Sequence, residues 1–180
     1  MLDVVKKLLF ARQIKFEKGK IFLLGYPIVM QPAEIFVQLK KEIVKKDPKD
    51  KFLYEMSKNA GKKYMKGISS KFKMSLSEKI KWGINSFELG GWGITEITDL
   101  KVKEFKAIIK IKNSTVAKLY GKSDVPVDDV MAGFIAGASC IYWNKEMDVI
   151  ERKCIAKGDQ FCEFIVLPTE EINKKRIVKK

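Results

Sequence analysis

Three cysteines, Cys140, Cys154 and Cys162, and the carboxylate of Glu151 are the side chains here whose type and spacing could do chemistry. Cys154 and Cys162 lie on the two arms of a predicted β-hairpin that turns at Lys157-Gly158-Asp159. With a three-residue loop, Cys154 stands directly across from Cys162, about 5 Å away between backbones. A two-residue loop would put the thiols on opposite faces, so the pairing depends on register. Thiolates suit Zn²⁺, and a carboxylate can complete a tetrahedral set. Glu151 is the candidate carboxylate, but simple alternation points it away from Cys154, so its participation requires a β-bulge. Cys140, near the end of the preceding predicted helix, could add a third sulfur. The alternative is a set of buried, inert thiols.

Other chemistries are excluded by composition. The 180 residues contain no histidine, which rules out a Ser-His-Asp triad, a Cys-His dyad and a His-Glu-x-x-His zinc site. Glu88-Leu-Gly-Gly-Trp-Gly-Ile resembles a phosphate loop, yet it follows a predicted helix and opens a strand, so no helix N-terminus faces an anion. No catalytic set and no nucleotide site are expected. The chain carries 36 Lys+Arg against 22 Asp+Glu, a net charge of +14. Only Arg12, Arg152 and Arg176 are arginines, and dispersed lysine without guanidinium forks argues for a solvated surface and against nucleic acid. The longest apolar stretch, Ile21 to Met30, is interrupted by Gly25 and Pro27 and is half a membrane span, so no span is expected. An odd number of cysteines with no signal peptide ahead of them points to the cytoplasm.

A chain of this length at 46% hydrophobic is one globular domain with appended segments. Met1 to Phe10 is a short amphipathic start, and Gln13 to Leu24 alternates as a hairpin around Lys18-Gly19. Three helices are then predicted. The first carries Ile35, Phe36, Leu39, Ile43 and Val44 and stops at Asp47-Pro48. The second has Phe52, Leu53, Met56, Ala60 and Tyr64 on one face and ends at Gly67. The third spans Ser75 to Phe87, with Leu76, Ile80, Ile84 and Phe87 inward. Two strands joined near Lys103 follow. A helix then begins at Pro126, with Asp128 and Asp129 in its first turn, where carboxylates suit the dipole. The last hairpin comes next, and residues 169–180 form a basic tail that frays from Asn173 to Lys180. This order is α+β, an antiparallel sheet packed against a helical layer.

Two further features bear on function. Gly133 and Gly137, among Ala132, Ala136, Ala138 and Ser139, give one helical face that another backbone can approach. It could pack within the chain, form a symmetric dimer contact or wall a cavity. The aromatics Trp82, Phe87, Trp92, Phe105, Tyr142, Trp143 and Phe161 flank the predicted sheet. They make either plain core or, given missing volume, an apolar pocket.

The sequence Gly133-Phe-Ile-Ala-Gly137, then Glu151-x-x-Cys154-x-Ala156-x-Gly158-Asp159-x-x-Cys162-x-Phe164-x-Val166, resembles the signature of the 4-vinyl reductase domain family. The likeness is strongest from about Leu89 to Leu167, and Gly91-Trp92-Gly93 is consistent with it. It implies a ligand-binding α+β domain of the nitric-oxide-signalling and Golgi-transport type, related in fold to small TRAPP subunits and haem nitric-oxide sensors. Residues 31–168 would form that domain, with residues 1–30 as an extension. The resemblance also implies pairing into homodimers and a structural zinc held by Glu151, Cys154, Cys162 and, by chain order, Cys140. Without histidine, haem and phenol itself are not expected ligands. The implied function is a sensor or carrier for a small hydrophobic molecule, lined by some of Trp82, Phe87, Trp92, Phe105 and Tyr142. The alternatives are a ligand-free tethering module that dimerises through the Gly133/Gly137 face and a nucleic-acid-linked regulator.

Overall fold

The computed structural model describes residues 14–47, 49–72 and 75–177. The amphipathic start, Met1 to Phe10, lies outside them. A small antiparallel sheet opens the described chain, with β1 (Ile14–Glu17), β2 (Lys20–Leu23) and β3 (Tyr26–Ile28) in that order. Lys18 and Gly19 both take positive φ, 48° and 75°, which matches the twist of a two-residue hairpin turn. Leu24 and Gly25 repeat the device at 52° and 71°. Pro27 is tolerated in β3 because that strand is an edge.

Helices α1 (Glu34–Lys46), α2 (Phe52–Lys71) and α3 (Leu76–Leu89) follow. Ser75 caps α3 in a reciprocal box with Glu78, whose carboxylate accepts from the Ser75 N–H at 2.7 Å. Strands β4 (Ile94–Lys101) and β5 (Lys106–Lys112) then pair across a tight turn. A short helix, α4 (Thr115–Tyr120), leads to α5 (Asp129–Trp143). Strands β6 (Met147–Lys153) and β7 (Cys162–Pro168) complete an antiparallel sheet of order β4-β5-β7-β6. Residues Thr169–Ile177 form helix α6, so the described part of the tail expected to fray from Asn173 is helical.

The layers are sheet, α5, α2. Met131, Ile135 and Ala136 of α5 face Ile111, Phe164 and Val166 of the sheet in the buried core. The opposite face of α5 meets α2 backbone to backbone. A Cβ at Gly137 would stand 2.1 Å from the Lys58 carbonyl oxygen, and one at Gly133 would stand 2.2 Å from that of Tyr54. A Cβ at Gly61 of α2 would likewise stand 2.6 Å from the Phe134 carbonyl oxygen. The Gly133/Gly137 face is therefore covered inside the chain by α2, which is the first of the three uses left open for it and removes the dimer surface of the tethering alternative. The same contact corrects the inward face of α2: Leu53, Ser57, Gly61, Met65 and Ile68 are buried, while Phe52 and Met56 are exposed. Close approach selects small side chains over apolar ones.

Asp148 ties three elements together. It accepts hydrogen bonds from Tyr54 and Lys58 of α2, both at 2.7 Å, and from Thr169 of α6 at 2.8 Å. Burial works against its charge, but these donors outweigh burial and hold its carboxyl below the usual range.

Gly137→Ala is expected to cost about 3 kcal/mol or more, because the Lys58 carbonyl cannot move aside; urea unfolding measures this. A carboxyl depressed in the folded state stabilises fully above its unfolded value, about 3.9, and less as pH falls through the folded one. Asp148→Asn is therefore expected to lose about 2 kcal/mol at neutral pH and to flatten the decline in unfolding midpoint between neutral and acid pH.

Candidate functional site

The end of the last hairpin gathers four acidic groups. Glu151 lies near the end of β6, Cys154 follows that strand, Cys162 opens β7, and Asp128 stands just before α5. One ligand atom from each lies within 4.8 Å of the others. The register explains how Glu151 joins. Glu151 pairs with Phe164 and Lys153 with Glu163, so Arg152 is an extra residue on β6. This is the bulge that alternation required, and it turns Glu151 and Cys154 to the same side. The connection between the arms is longer than a three-residue loop. It contains a 3-10 turn, Ile155–Lys157, and Gly158 at φ 95°, with the Cys154 N–H donating to Asp159 at 2.8 Å.

Each carboxylate has one oxygen engaged and one free. Asp128 Oδ2 accepts from Ser114 Oγ at 2.8 Å, and Glu151 Oε2 accepts from the Asp128 N–H at 3.1 Å. Asp128 Oδ1 and Glu151 Oε1 are buried with no hydrogen-bond partner. Burial and the Asp128 charge push Glu151 well above the usual carboxylate range, and burial raises Asp128. The hydrogen bond between the thiols raises Cys162 and lowers Cys154. Four acids in one dry pocket cannot all ionise unless a cation sits among them. Two sulfurs and two unpartnered oxygens at this spacing fit a four-coordinate divalent metal. Cys140 is not in the group. Its Sγ accepts from the Met147 N–H at 3.3 Å, at the opposite end of α5. Asp128 takes the fourth place. Sequence reasoning had assigned it to the helix dipole, yet its side chain makes no cap bond.

A cavity of about 50 Å³ lies beside α5. Its wall comes from Ile80, Ile84 and Phe87 of α3, Ile97 and Leu100 of β4, and Phe134 and Ala138 of α5. No charged side chain among the described residues lines it. Of the predicted aromatics, Phe87 and Tyr142 line the cavity and Trp82, Trp92 and Phe105 do not. Trp92 packs on Phe36, ring centroids 5.1 Å apart, and Phe105 sits at φ 53° under the Lys145 ammonium. The lining also includes Tyr64, which the sequence placed on the second helix's apolar face, Trp143, which it counted among the flanking aromatics, and Met65 and Thr95, which it did not single out. Burial pushes the Tyr142 hydroxyl up, so it stays a neutral donor.

This fold, with a donor cluster at one end of its central helix and an apolar cavity along it, has known counterparts. Residues 107–168, which hold all four clustered residues, match the V4R domain, so the resemblance to the 4-vinyl reductase domain family is shown for this stretch. An uncharacterised protein of Methanocaldococcus jannaschii is 30% identical over 88 residues, 49% of this chain and 54% of that protein. The match thus spans about half the length of this curated relative. Among solved structures, the phenol-responsive sensory domain of the transcription activator PoxR, with phenol, superposes with a TM-score of 0.74 at 19% identity, covering 94% of this chain and 90% of that one. A vinyl-4-reductase family protein from Methanocaldococcus jannaschii gives 0.56 at 23% identity over 79% and 84% of the two chains. Subunit 3 of the Naegleria fowleri trafficking protein particle complex, covalently bound to palmitic acid, gives 0.55 at 16% over 76% and 95%. These likenesses establish the α+β fold.

Metal analysis of the purified chain separates the candidate ligands. Cys154→Ser and Asp128→Asn are each expected to lower the bound divalent metal well below one equivalent, and Cys140→Ser to leave it unchanged.

Proposed function

We propose that this chain is a sensor or carrier domain that encloses a small hydrophobic molecule, with a structural zinc pinning its last hairpin. The observation that carries this reading is an apolar cavity without charges, walled by the helix whose N-terminal flank supplies Asp128. Asp128, Glu151, Cys154 and Cys162 would hold zinc with no position left open, which serves structure and not hydrolysis. The zinc would tie β6, β7 and the start of α5 into one unit and keep the sheet side of the cavity rigid.

The other wall is softer. No residue of α3 is fully buried, so it is the element that yields when a molecule larger than the cavity enters. The phenol-responsive domain of PoxR supports the class of function, a small molecule read by this fold. Its ligand is not carried over at 19% identity, in keeping with the family resemblance, which does not lead to phenol in a chain without histidine. Pairing of two copies, as the family resemblance implies, would use a surface other than the glycine face.

Diphenylhexatriene, a rod-shaped apolar fluorophore that brightens out of water, tests the cavity. Uptake by the wild-type chain is expected, and Ile84→Trp, which fills the space from α3, is expected to weaken it at least tenfold. Absence of uptake, or uptake indifferent to Ile84→Trp, would overturn the reading.

A further inference from the structure

The donor cluster and the cavity meet at the start of α4, where two consecutive residues hold two different parts of the molecule. Ser114, fully buried, donates from Oγ to Asp128 Oδ2 at 2.8 Å. The same oxygen accepts from the Ala117 N–H at 3.2 Å and so caps α4. Thr115 donates from its N–H to the Trp92 carbonyl at 3.2 Å and from Oγ1 to the Gly91 carbonyl.

Gly91 and Trp92 close α3, the helix that covers the cavity. The Trp92 N–H donates to the Phe87 carbonyl and the Gly91 N–H to the Glu88 carbonyl, both at 3.1 Å, with Gly91 at φ 76°. This paired pattern ends a helix around a left-handed glycine. Phe87 lines the cavity, and Trp92 packs on Phe36 of α1. At the other end of α3, the side-chain bonds join Ser75 to Ser77 and Glu78 of the same turn. Thr115 therefore grips α3 at its C-terminal end. The short helix α4 also rests on the 3-10 turn Ile155–Lys157 of the last hairpin, and the Ser123 N–H donates to the Ala156 carbonyl there at 2.9 Å. The cluster thus fixes α4 from the Ser114 side and from the hairpin side.

We infer that Ser114 and Thr115 couple the donor cluster to the cavity. A metal held by the cluster immobilises the Asp128 carboxylate; Ser114 passes that constraint to the first turn of α4, and Thr115 passes it to the end of α3. A cover already pinned gives up less freedom when it closes on an apolar molecule, so the metal-loaded chain binds such a molecule more tightly. The coupling is reciprocal, and occupancy of the cavity strengthens metal binding by the same factor. The inference rests on the ligand and metal readings above and adds the link between the two sites.

Affinity for diphenylhexatriene, measured on the zinc-loaded chain and after a chelator has stripped it, tests the link. The loaded wild type is expected to bind the fluorophore about fivefold more tightly than the stripped one. Thr115→Val removes the hydroxyl that donates to Gly91. Loaded to the wild-type zinc content, it is expected to bind the fluorophore as weakly as the stripped wild type. Thr115→Ser, which keeps the hydroxyl, is expected to restore the loaded wild-type affinity. In competition with a chelator, saturating fluorophore is expected to raise zinc affinity about fivefold in the wild type and not at all in Thr115→Val.

Equal fluorophore affinity of zinc-loaded Thr115→Val and wild type would overturn the coupling and leave both sites standing, whether or not the stripped chain stays folded. A loss shared by Thr115→Ser, or one that leaves the fluorophore's effect on zinc affinity intact, would overturn it as well. A wild-type chain that takes up no zinc defeats the metal reading, and one that takes up zinc but no fluorophore defeats the ligand reading; the coupling falls with either.

Discussion

The structure depends on the burial of α5 from both sides. One side packs against the sheet through ordinary apolar contacts. The other lets α2 approach to backbone distance, because Gly133, Gly137 and Gly61 have no side chains to hold the helices apart. A helix buried all round must be apolar or small at every position, which is how Met131 to Cys140 reads. Its placement then fixes the rest. The N-terminal flank delivers Asp128 to the last hairpin, the C-terminal half lines the cavity, and the Asp148 network locks β6 to α2.

The acidic cluster is a second constraint, electrostatic in kind. Desolvation raises both carboxyls, and the thiols share what charge they can through their hydrogen bond. Such a group is stable only when protons or a cation offset the repulsion. Ser114 and the Asp128 N–H each occupy one carboxylate oxygen, and this leaves the other oxygen of each with its lone pairs free beside the sulfurs. That division of labour orients the donors before anything binds.

How much of this was legible in the sequence follows from locality. Cys154, Cys162 and Glu151 sit on one hairpin, so their spacing and the need for a bulge could be read directly, and the bulge is present at Arg152. Asp128 lies far from them in sequence and carries the signature of a helix start, so it was assigned to the dipole. Cys140 was attractive as a sulfur, yet it stands at the far end of the same helix, and one-dimensional order cannot tell the two ends apart. The small sheet was half legible: Lys18-Gly19 announces a turn, whereas Leu24-Gly25 does not, because leucine rarely takes positive φ. The α2 face was misread because apolar periodicity measures hydrophobicity, and the contact with α5 selects for smallness. Cavity residues such as Met65 and Thr95 left no signal, since missing volume has no sequence pattern.

The two halves of the molecule differ in stiffness for the same reasons that place them. Around the hairpin, buried strands and the donor cluster leave little to move. Helix α3 is held otherwise. Its own Ser75–Glu78 box satisfies its N-terminus without help from the core, and it contributes Ile80, Ile84 and Phe87 to a cavity wall while burying no residue completely. An element that is internally complete and loosely docked can shift as a unit without unravelling, which places it at the low end of local stability. An apolar occupant would offset the cost of that shift by covering carbon that the wall otherwise leaves exposed to empty space, a gain proportional to the area covered. The fold thus supplies one rigid wall and one compliant wall to the same cavity.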